Sequence, residues 1–180
     1  MSLFDKIIDA VTPPESHETR MKARAEARAA AAPGDWLNAV IDHHEQIEAA
    51  FAEVRDATSA GTRLAALKAL AVLLTGHSNA EEAVLYPAMV DSGHKAHSGL
   101  AYEEQAMAKV QLALLEKIEP MSEDFLNKLG HLQGAVTHHM YQEESSWFLK
   151  LKEEVPAAEQ AKLAGRYREE IDRYAGRELA

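Results

Sequence analysis

The sequence reads HSNAEE at residues 77–82 and HMYQEE at residues 139–144, so each segment places a histidine four residues before the first residue of a Glu-Glu pair. In an α-helix, residues i and i+4 project from the same face, about one turn apart. Each segment therefore presents one imidazole and one carboxylate to a common point. Because both groups are ligands of transition metals, the repeat indicates two halves of a metal site.

The composition indicates a single helical domain. The chain has 180 residues, of which 47% are hydrophobic, and this suits one domain with a full-sized core. The nine glycines and six prolines fall mostly between long stretches rich in Ala, Leu, Glu and Lys. These features predict an all-α fold.

The charge and the lack of cysteine exclude several classes of function. Nineteen Lys and Arg residues stand against 29 Asp and Glu residues, and the formal net charge of −10 repels phosphate backbones, so we expect no nucleic-acid partner. Without cysteine the chain forms no disulfide, iron–sulfur cluster or thiolate zinc site. We find neither an apolar run of about 20 residues nor a signal-peptide pattern, and we expect a cytoplasmic protein that does not span a membrane.

Hydrophobic periodicity divides the chain into three parts. Residues 1–34 are predicted to be an N-terminal helical extension, with an amphipathic helix at residues 2–11 and an Ala-rich helix at residues 15–32. The Ala-rich helix forms either a solvated arm or an oligomer contact. Residues 35–155 are predicted to form the main domain, and residues 156–180 a C-terminal helix packed on it.

The main domain contains four predicted helices, joined by short loops that favour an antiparallel up-down four-helix bundle. The boundaries are about 36–58, 62–90, 94–119 and 122–154. The first and fourth helices each have one apolar stripe at helical spacing. On the third helix, the predicted apolar face consists of Leu100, Met107, Val110, Leu114 and Ile118.

Counting residues along antiparallel helices places ligand-type side chains at one level. About 14 residues separate His44 from the end of the first helix, and about 14 separate the start of the second helix from His77, at a rise of about 1.5 Å per residue. The same counting places Glu103 and Glu104 of the third helix at the level of Glu81, and places His139 within a turn of that level. All four helices therefore contribute possible ligands.

The carboxylates of Glu81 and Glu143 interrupt the apolar stripes of their helices. Carboxylates are rarely buried unless they are paired or bind a metal, because burial removes their hydration. A pair of divalent or trivalent metals, bridged by the carboxylates and completed by neutral imidazoles, explains this pattern best. The alternative is that both His–Glu pairs are ordinary exposed pairs. It is disfavoured because both pairs are in phase with apolar stripes and His44 lies on a third helix.

Residues 35–153 resemble the hemerythrin-like HHE cation-binding domain. The resemblance rests on the motifs Asp42-His43-His44, His77-x-x-x-Glu81-Glu82-x-x-Leu85-Tyr86-Pro87 and His138-His139-x-x-x-Glu143-Glu144. It implies a four-helix bundle with a non-haem di-iron centre, two irons per chain, in which two glutamates bridge the metals. The ligands that it implies are His44, His77, Glu81, His139 and Glu143.

The third helix departs from the family pattern, in which one or two histidines are usual. This chain reads YEEQ at residues 102–105, and Gln105 stands near the position of a family histidine. We predict that Glu104 is the replacement ligand. Glu103, Tyr102 and His97 are the alternatives.

The sequence leaves two functional hypotheses of different class. One is a binding or sensing protein whose metals take up dioxygen, nitric oxide or another small ligand. The other is an enzyme that reduces dioxygen, peroxide or nitric oxide. A carboxylate in place of an imidazole stabilises the ferric state, so we expect a redox or sensing role and not simple oxygen carriage. A metal-free structural bundle is the third option.

Overall fold

The computed structural model describes residues 15–175, and every regular element in this range is helical. The helices are α1 (His17–Ala30), α2 (Trp36–Asp56), α3 (60–91), α4 (Lys95–Leu115), α5 (123–154) and α6 (Ala157–Ala175). Helices α2 to α5 form the predicted antiparallel four-helix bundle, and the all-α prediction is confirmed. The helix predicted at residues 2–11 lies outside the described residues.

Side-chain caps fix where the bundle helices begin. Asp35 accepts a hydrogen bond from the backbone N–H of Leu37 at the start of α2, and Ser122 caps α5 in the same way. Ser59 and Thr62 form a reciprocal capping box at the start of α3. These caps satisfy N–H groups that have no partner within the helix.

The core consists of two apolar clusters with a polar layer between them. Trp36, Ile41, Tyr86 and Phe148 belong to one cluster, and Ile47, Phe51, Leu70 and Phe125 to the other. His44 lies on α2 between the residues that enter the first cluster and those that enter the second. The stripes predicted for the first and fourth helices are both buried, so the sequence identified these two inward faces correctly.

Helix α1 is not a solvated arm. It packs on α2 and α5 and buries Ala23, Arg24 and Ala27. The small alanines let the two backbones approach closely, so few large side chains are needed. Helix α6 lies against α2 and α3 and buries Leu163 and Tyr167. The division of the chain into parts at residues 34 and 155 stays a prediction.

The predicted inward face of the third helix is wrong. Leu100, Met107, Val110 and Leu114 of α4 are 41%, 36%, 53% and 52% exposed. Ile118 lies beyond the end of the helix and packs, half-buried, on the second cluster. The buried side chains of α4 are Ser98, Ala101, Gln105, Ala108, Leu112 and Leu115. The small residues among them bring α4 close to its neighbours, and the bulkier stripe is left outside.

Within residues 15–175, none of the helices combines the length and the apolar character that crossing a membrane would require.

Candidate metal centre

Each predicted His–Glu pair ends in a turn of π-helix. The turns span Glu81–Leu85 in α3 and Glu143–Trp147 in α5, and the N–H of the residue that follows each turn bonds to the carbonyl of its glutamate, five residues earlier. A π turn contains one more residue than an α turn would, so the downstream helix is rotated relative to uninterrupted spacing. Glu81 and Glu143 begin these turns, one α-helical turn after His77 and His139, and both are buried in the bundle.

Four side chains converge in the polar layer. His44, His77, Glu81 and Glu143 each offer one ligand atom, and these atoms all lie within 4.8 Å of one another. All four side chains are buried, at no more than 2% exposure. The sequence placed each of these residues in the site, and the fold brings them together.

Three atoms in this cluster have no hydrogen-bond partner among the described residues. They are Nε2 of His44, Oε1 of Glu81 and Oε2 of Glu143. The His44 Nε2 atom lies 3.9 Å from Glu81 Oε1 and 3.4 Å from Glu143 Oε2. Unpartnered buried polar atoms are costly, whereas a cation between them would satisfy all three. This donor set of imidazole and carboxylate fits a transition metal.

The second carboxylate oxygen of Glu81 and that of Glu143 both face the hydroxyl of Tyr86. This hydroxyl lies 3.2 Å from Glu81 Oε2, 3.0 Å from Glu143 Oε1 and 3.1 Å from Nε2 of His139. The phenol oxygen therefore occupies the centre of a second group of ligand-type atoms. Tyr86 was recognised in the sequence only as part of a motif, and its place in the site was missed.

Gln105 is the side chain of α4 that enters the site. Its amide nitrogen donates to Glu81 Oε2 and to the Tyr86 hydroxyl, each at 2.6 Å, and its amide oxygen is buried without a partner in the described chain. In the sequence, Gln105 stands near the position at which the family pattern has a histidine. The predicted ligand, Glu104, is one residue earlier.

Glu104 accepts a hydrogen bond from Nδ1 of His139 at 2.8 Å. This nitrogen lies on the opposite edge of the ring from the Nε2 atom that faces Tyr86 and Glu143, so Glu104 contacts the outer edge of His139 in this geometry. The ligand role of Glu104 stays a prediction. The three alternatives have other surroundings. Tyr102 donates to the backbone carbonyl of Glu82, Glu103 is exposed, and His97 stacks on Trp147.

A buried ion pair between Arg24 of α1 and Glu144 of α5 lies beside the Nδ1 edge of the His44 ring. Nδ1 of His44 donates to Glu144 Oε1 at 2.7 Å, and Arg24 donates to the same oxygen at 2.9 Å. Arg24 also binds Glu48 on α2. The Glu144 carboxylate thus fixes the orientation of His44, and the Arg24 charge compensates the buried carboxylate. No sequence signal identified Arg24, because its partner Glu144 is 120 residues away.

Three histidines, His43, His77 and His138, have hydrogen-bond partners outside the cluster. His43 and His77 both approach the hydroxyl of Tyr167 on α6, at 3.0 Å and 3.2 Å. His138 pairs with Glu15 outside the cluster. Helix α6 therefore orients one member of the cluster, which the sequence did not predict.

Without a cation, the cluster has strongly shifted pKa values. Burial and the nearby charge of Glu143 raise the pKa of Glu81 to about 7. Burial alone would lower the pKa of His139, but Glu143 and Glu104 outweigh it and raise the pKa to about 10. Burial and the charge of His44 lower the pKa of His77. The site therefore retains protons that a bound metal would displace.

Comparisons with known proteins identify a family and support the fold. Residues 37–173 match the family model described as Hemerythrin HHE cation binding domain. A solved hemerythrin HHE cation binding domain-containing protein from Mycobacterium kansasii has the same fold, with a TM-score of 0.70 and 20% identity over 81% of this chain and 90% of that one.

A shorter match links the chain to a DNA nickase from Nostoc sp. (strain PCC 7120). The two sequences are 33% identical over 79 residues, which is 44% of this chain and 22% of that protein. This match covers too little of the relative to compare the two proteins as wholes. The family match covers most of the chain and includes every residue of the cluster, and the chain belongs to the hemerythrin HHE cation-binding domain family.

Proposed function

We propose that this protein is a non-haem di-iron protein that binds or reacts with a small molecule, such as dioxygen, peroxide or nitric oxide, in a sensing or redox role. The iron atoms would number two per chain and be bridged by carboxylates. The observation that carries the proposal is the convergence of unpartnered buried donor atoms from His44, Glu81 and Glu143.

The two glutamates support a pair of metals. Oε2 of Glu143 lies 3.4 Å from Nε2 of His44, and its Oε1 lies 3.2 Å from Nε2 of His139. Oε1 of Glu81 lies 3.9 Å from Nε2 of His44, and its Oε2 lies 3.3 Å from Nε2 of His77 and 3.2 Å from the Tyr86 hydroxyl. A carboxylate that bridges two metals presents its two oxygens to different groups, as both glutamates do here. We assign His44 and His77 to one metal, His139 to the other, and both glutamates to the bridge.

The anionic character of the site favours a redox or sensing role. The anionic groups are the two buried carboxylates of Glu81 and Glu143. Burial and these carboxylates raise the pKa of Tyr86, so its phenol stays neutral, and Gln105 is a neutral amide near the position of a family histidine. Anionic oxygen ligands stabilise the ferric state, which disfavours reversible dioxygen carriage. Bound iron would supply redox change and an open coordination position, while the Tyr86 hydroxyl would hold a proton next to the bound molecule.

Metal analysis of aerobically purified protein tests the proposal. We expect about two iron atoms per chain and a near-ultraviolet charge-transfer band that dithionite abolishes. His138→Ala serves as the control, because His138 pairs with Glu15 away from the cluster. A chain that binds no iron, or one iron with no change on reduction, would contradict the di-iron assignment.

The alternative is a di-iron oxidase or peroxidase-like enzyme built on the same site. The observation that favours it is the hydroxyl of Tyr86, which lies within 3.2 Å of both glutamates and can deliver a proton to a reduced oxygen species. Peroxide consumption by iron-loaded protein, with Tyr86→Phe as the comparison, separates the two roles. A sensor would consume peroxide at most once per site.

We do not extend the nickase activity to this chain. The matched segment is a small part of that relative, and the net charge of −10 opposes binding to a phosphate backbone. A cytoplasmic location stays a prediction.

A further inference from the structure

The outer face of α4 is apolar although the protein is strongly acidic. Leu100, Met107, Val110 and Leu114 are all exposed and recur along one side of the helix, with alanines at residues 106 and 113 beside them. A soluble chain rarely leaves such a contiguous stripe uncovered. Two charged residues lie on this stripe: Glu103, and Lys117 in the turn that follows the helix.

The positions of these charges are symmetric about Val110. Glu103 lies seven residues before Val110 and Lys117 seven residues after it, which is about 10 Å in each direction along a helix. Two copies packed antiparallel through this face would bring each Glu103 to Lys117 of the partner subunit. A parallel arrangement would instead bring like charges together, which is unfavourable.

We propose that the occupant of this face is a second copy of the chain, bound antiparallel with the two-fold axis at Val110. The interface would be isologous, so each contact occurs twice. Met107 and Leu114 lie three residues before and four residues after Val110. The two-fold axis therefore brings Met107 against Leu114 of the partner subunit, while Ala106 and Ala113 on the other edge allow the helices to approach closely.

The interface leaves the metal centre intact and differs from the predicted oligomer contact. Gln105 projects into the bundle from the opposite side of α4, and α1 packs on its own bundle, away from this face. Because the face is one helix wide, we expect a dissociation constant on the order of micromolar. The proposal does not depend on which metal binds.

Sedimentation velocity on the full chain, from about 1 to about 100 µM, tests the proposal. We expect a monomer–dimer equilibrium that Val110→Lys weakens by about 100-fold. Leu64→Lys is the matched control, because Leu64 is 44% exposed on α3 and lies outside this face. Circular dichroism melts show whether each variant retains its fold.

Charge reversal tests the direction of packing. We expect Glu103→Lys and Lys117→Glu each to weaken the dimer by about 10-fold, and the double variant to restore it. Restoration requires that residues 103 and 117 face each other across the interface. If the double variant is no tighter than the single variants, the antiparallel arrangement is refuted.

Two further outcomes would overturn the proposal as a whole. One is a chain that stays monomeric over the entire concentration range. The other is a dimer that Val110→Lys leaves unchanged, which would place the interface elsewhere. If deletion of residues 1–14 converts a monomer into a dimer, the face belongs to that segment of the same chain and the proposal is wrong.

Discussion

Replacing Arg24 tests whether α1 is part of the metal centre. The side chain of Arg24 is 6% exposed and that of its partner Glu144 is 1% exposed. Arg24→Ala leaves the Glu144 carboxylate buried with His44 as its remaining partner. Breaking a buried ion pair by removing one member costs about 3–5 kcal/mol, and we expect the lower end because His44 still donates a hydrogen bond.

The same helix provides a matched control. Arg28 lies one turn after Arg24 and pairs with Asp42 and Glu45, and these three side chains are 31%, 51% and 52% exposed. Because water screens such pairs, Arg28→Ala should cost less than about 1 kcal/mol. Urea unfolding of the chelated protein, followed by circular dichroism, measures both changes in the free energy of unfolding.

Metal affinity gives an independent measurement. Glu144 orients His44, and the loss of such a supporting contact lowers metal affinity by about 10- to 100-fold. In a competition with a chelator, we expect Glu144→Gln to lower metal affinity within this range. We expect Arg24→Ala to reduce the free energy of unfolding less in the Glu144→Gln protein than in the unchanged chain, because the buried negative charge of Glu144 is gone. If Arg24→Ala is no more destabilising than Arg28→Ala, α1 has no role in supporting the site.

Three further predictions concern the cluster itself. His77→Ala or His139→Ala should remove most of the bound metal, whereas His138→Ala should not. If metal analysis shows equal losses from His138→Ala and His139→Ala, the inward face of α5 is misassigned. Glu104→Gln should weaken metal binding by about 10-fold without abolishing it, because the amide oxygen can still accept a hydrogen bond from His139. Complete loss of bound metal would make Glu104 a ligand, as the sequence predicted. Glu81, with a pKa of about 7, and His139, with a pKa of about 10, retain protons in the folded metal-free protein that they lose more readily when unfolded. The contribution of Glu81 to stability is therefore lost as pH rises from about 4.5 to about 7, and that of His139 as pH rises from about 6.5 to about 10. The metal-free protein should melt at a lower temperature at about pH 10 than at about pH 7 because of His139, and equal melting temperatures at these two pH values would contradict the buried, proton-retaining cluster.

The sequence was sufficient for helices that have one apolar stripe. In α2 and α5 the same spacing that buries Phe51 and Phe125 also buries His44 and His139, so the ligand-type residues could be recognised as interruptions of the core. Helix α4 has two stripes, one of small residues and one of bulky ones. Hydrophobicity favoured the bulky stripe, whereas close packing around the site selected the small one.

The sequence failed where the structure depends on contacts across the chain. Counting levels reached the height of residue 104 but not the inward position of Gln105, because the bulky stripe of α4 was taken as its inward face and Gln105 lies on the stripe of small residues. Helix α1 has the composition of a solvated helix. The buried position of Arg24 becomes intelligible only when Glu48 and Glu144 are seen around it.

The π turns also determine which changes of length the chain can accept. Because the turn after Glu81 contains one residue more than an α turn, deleting Ala83 can convert it into an α turn and leave Tyr86 and the rest of the downstream helix in their present orientation. Deleting one residue from a regular α-helical turn of α3 or α5 would instead rotate everything downstream by about 100°. One-residue deletions should therefore be tolerated within the π turns, after Glu81 and after Glu143, and not in the α-helical turns that precede them. A library of one-residue deletions, screened for iron content, should identify both segments without any knowledge of the ligands.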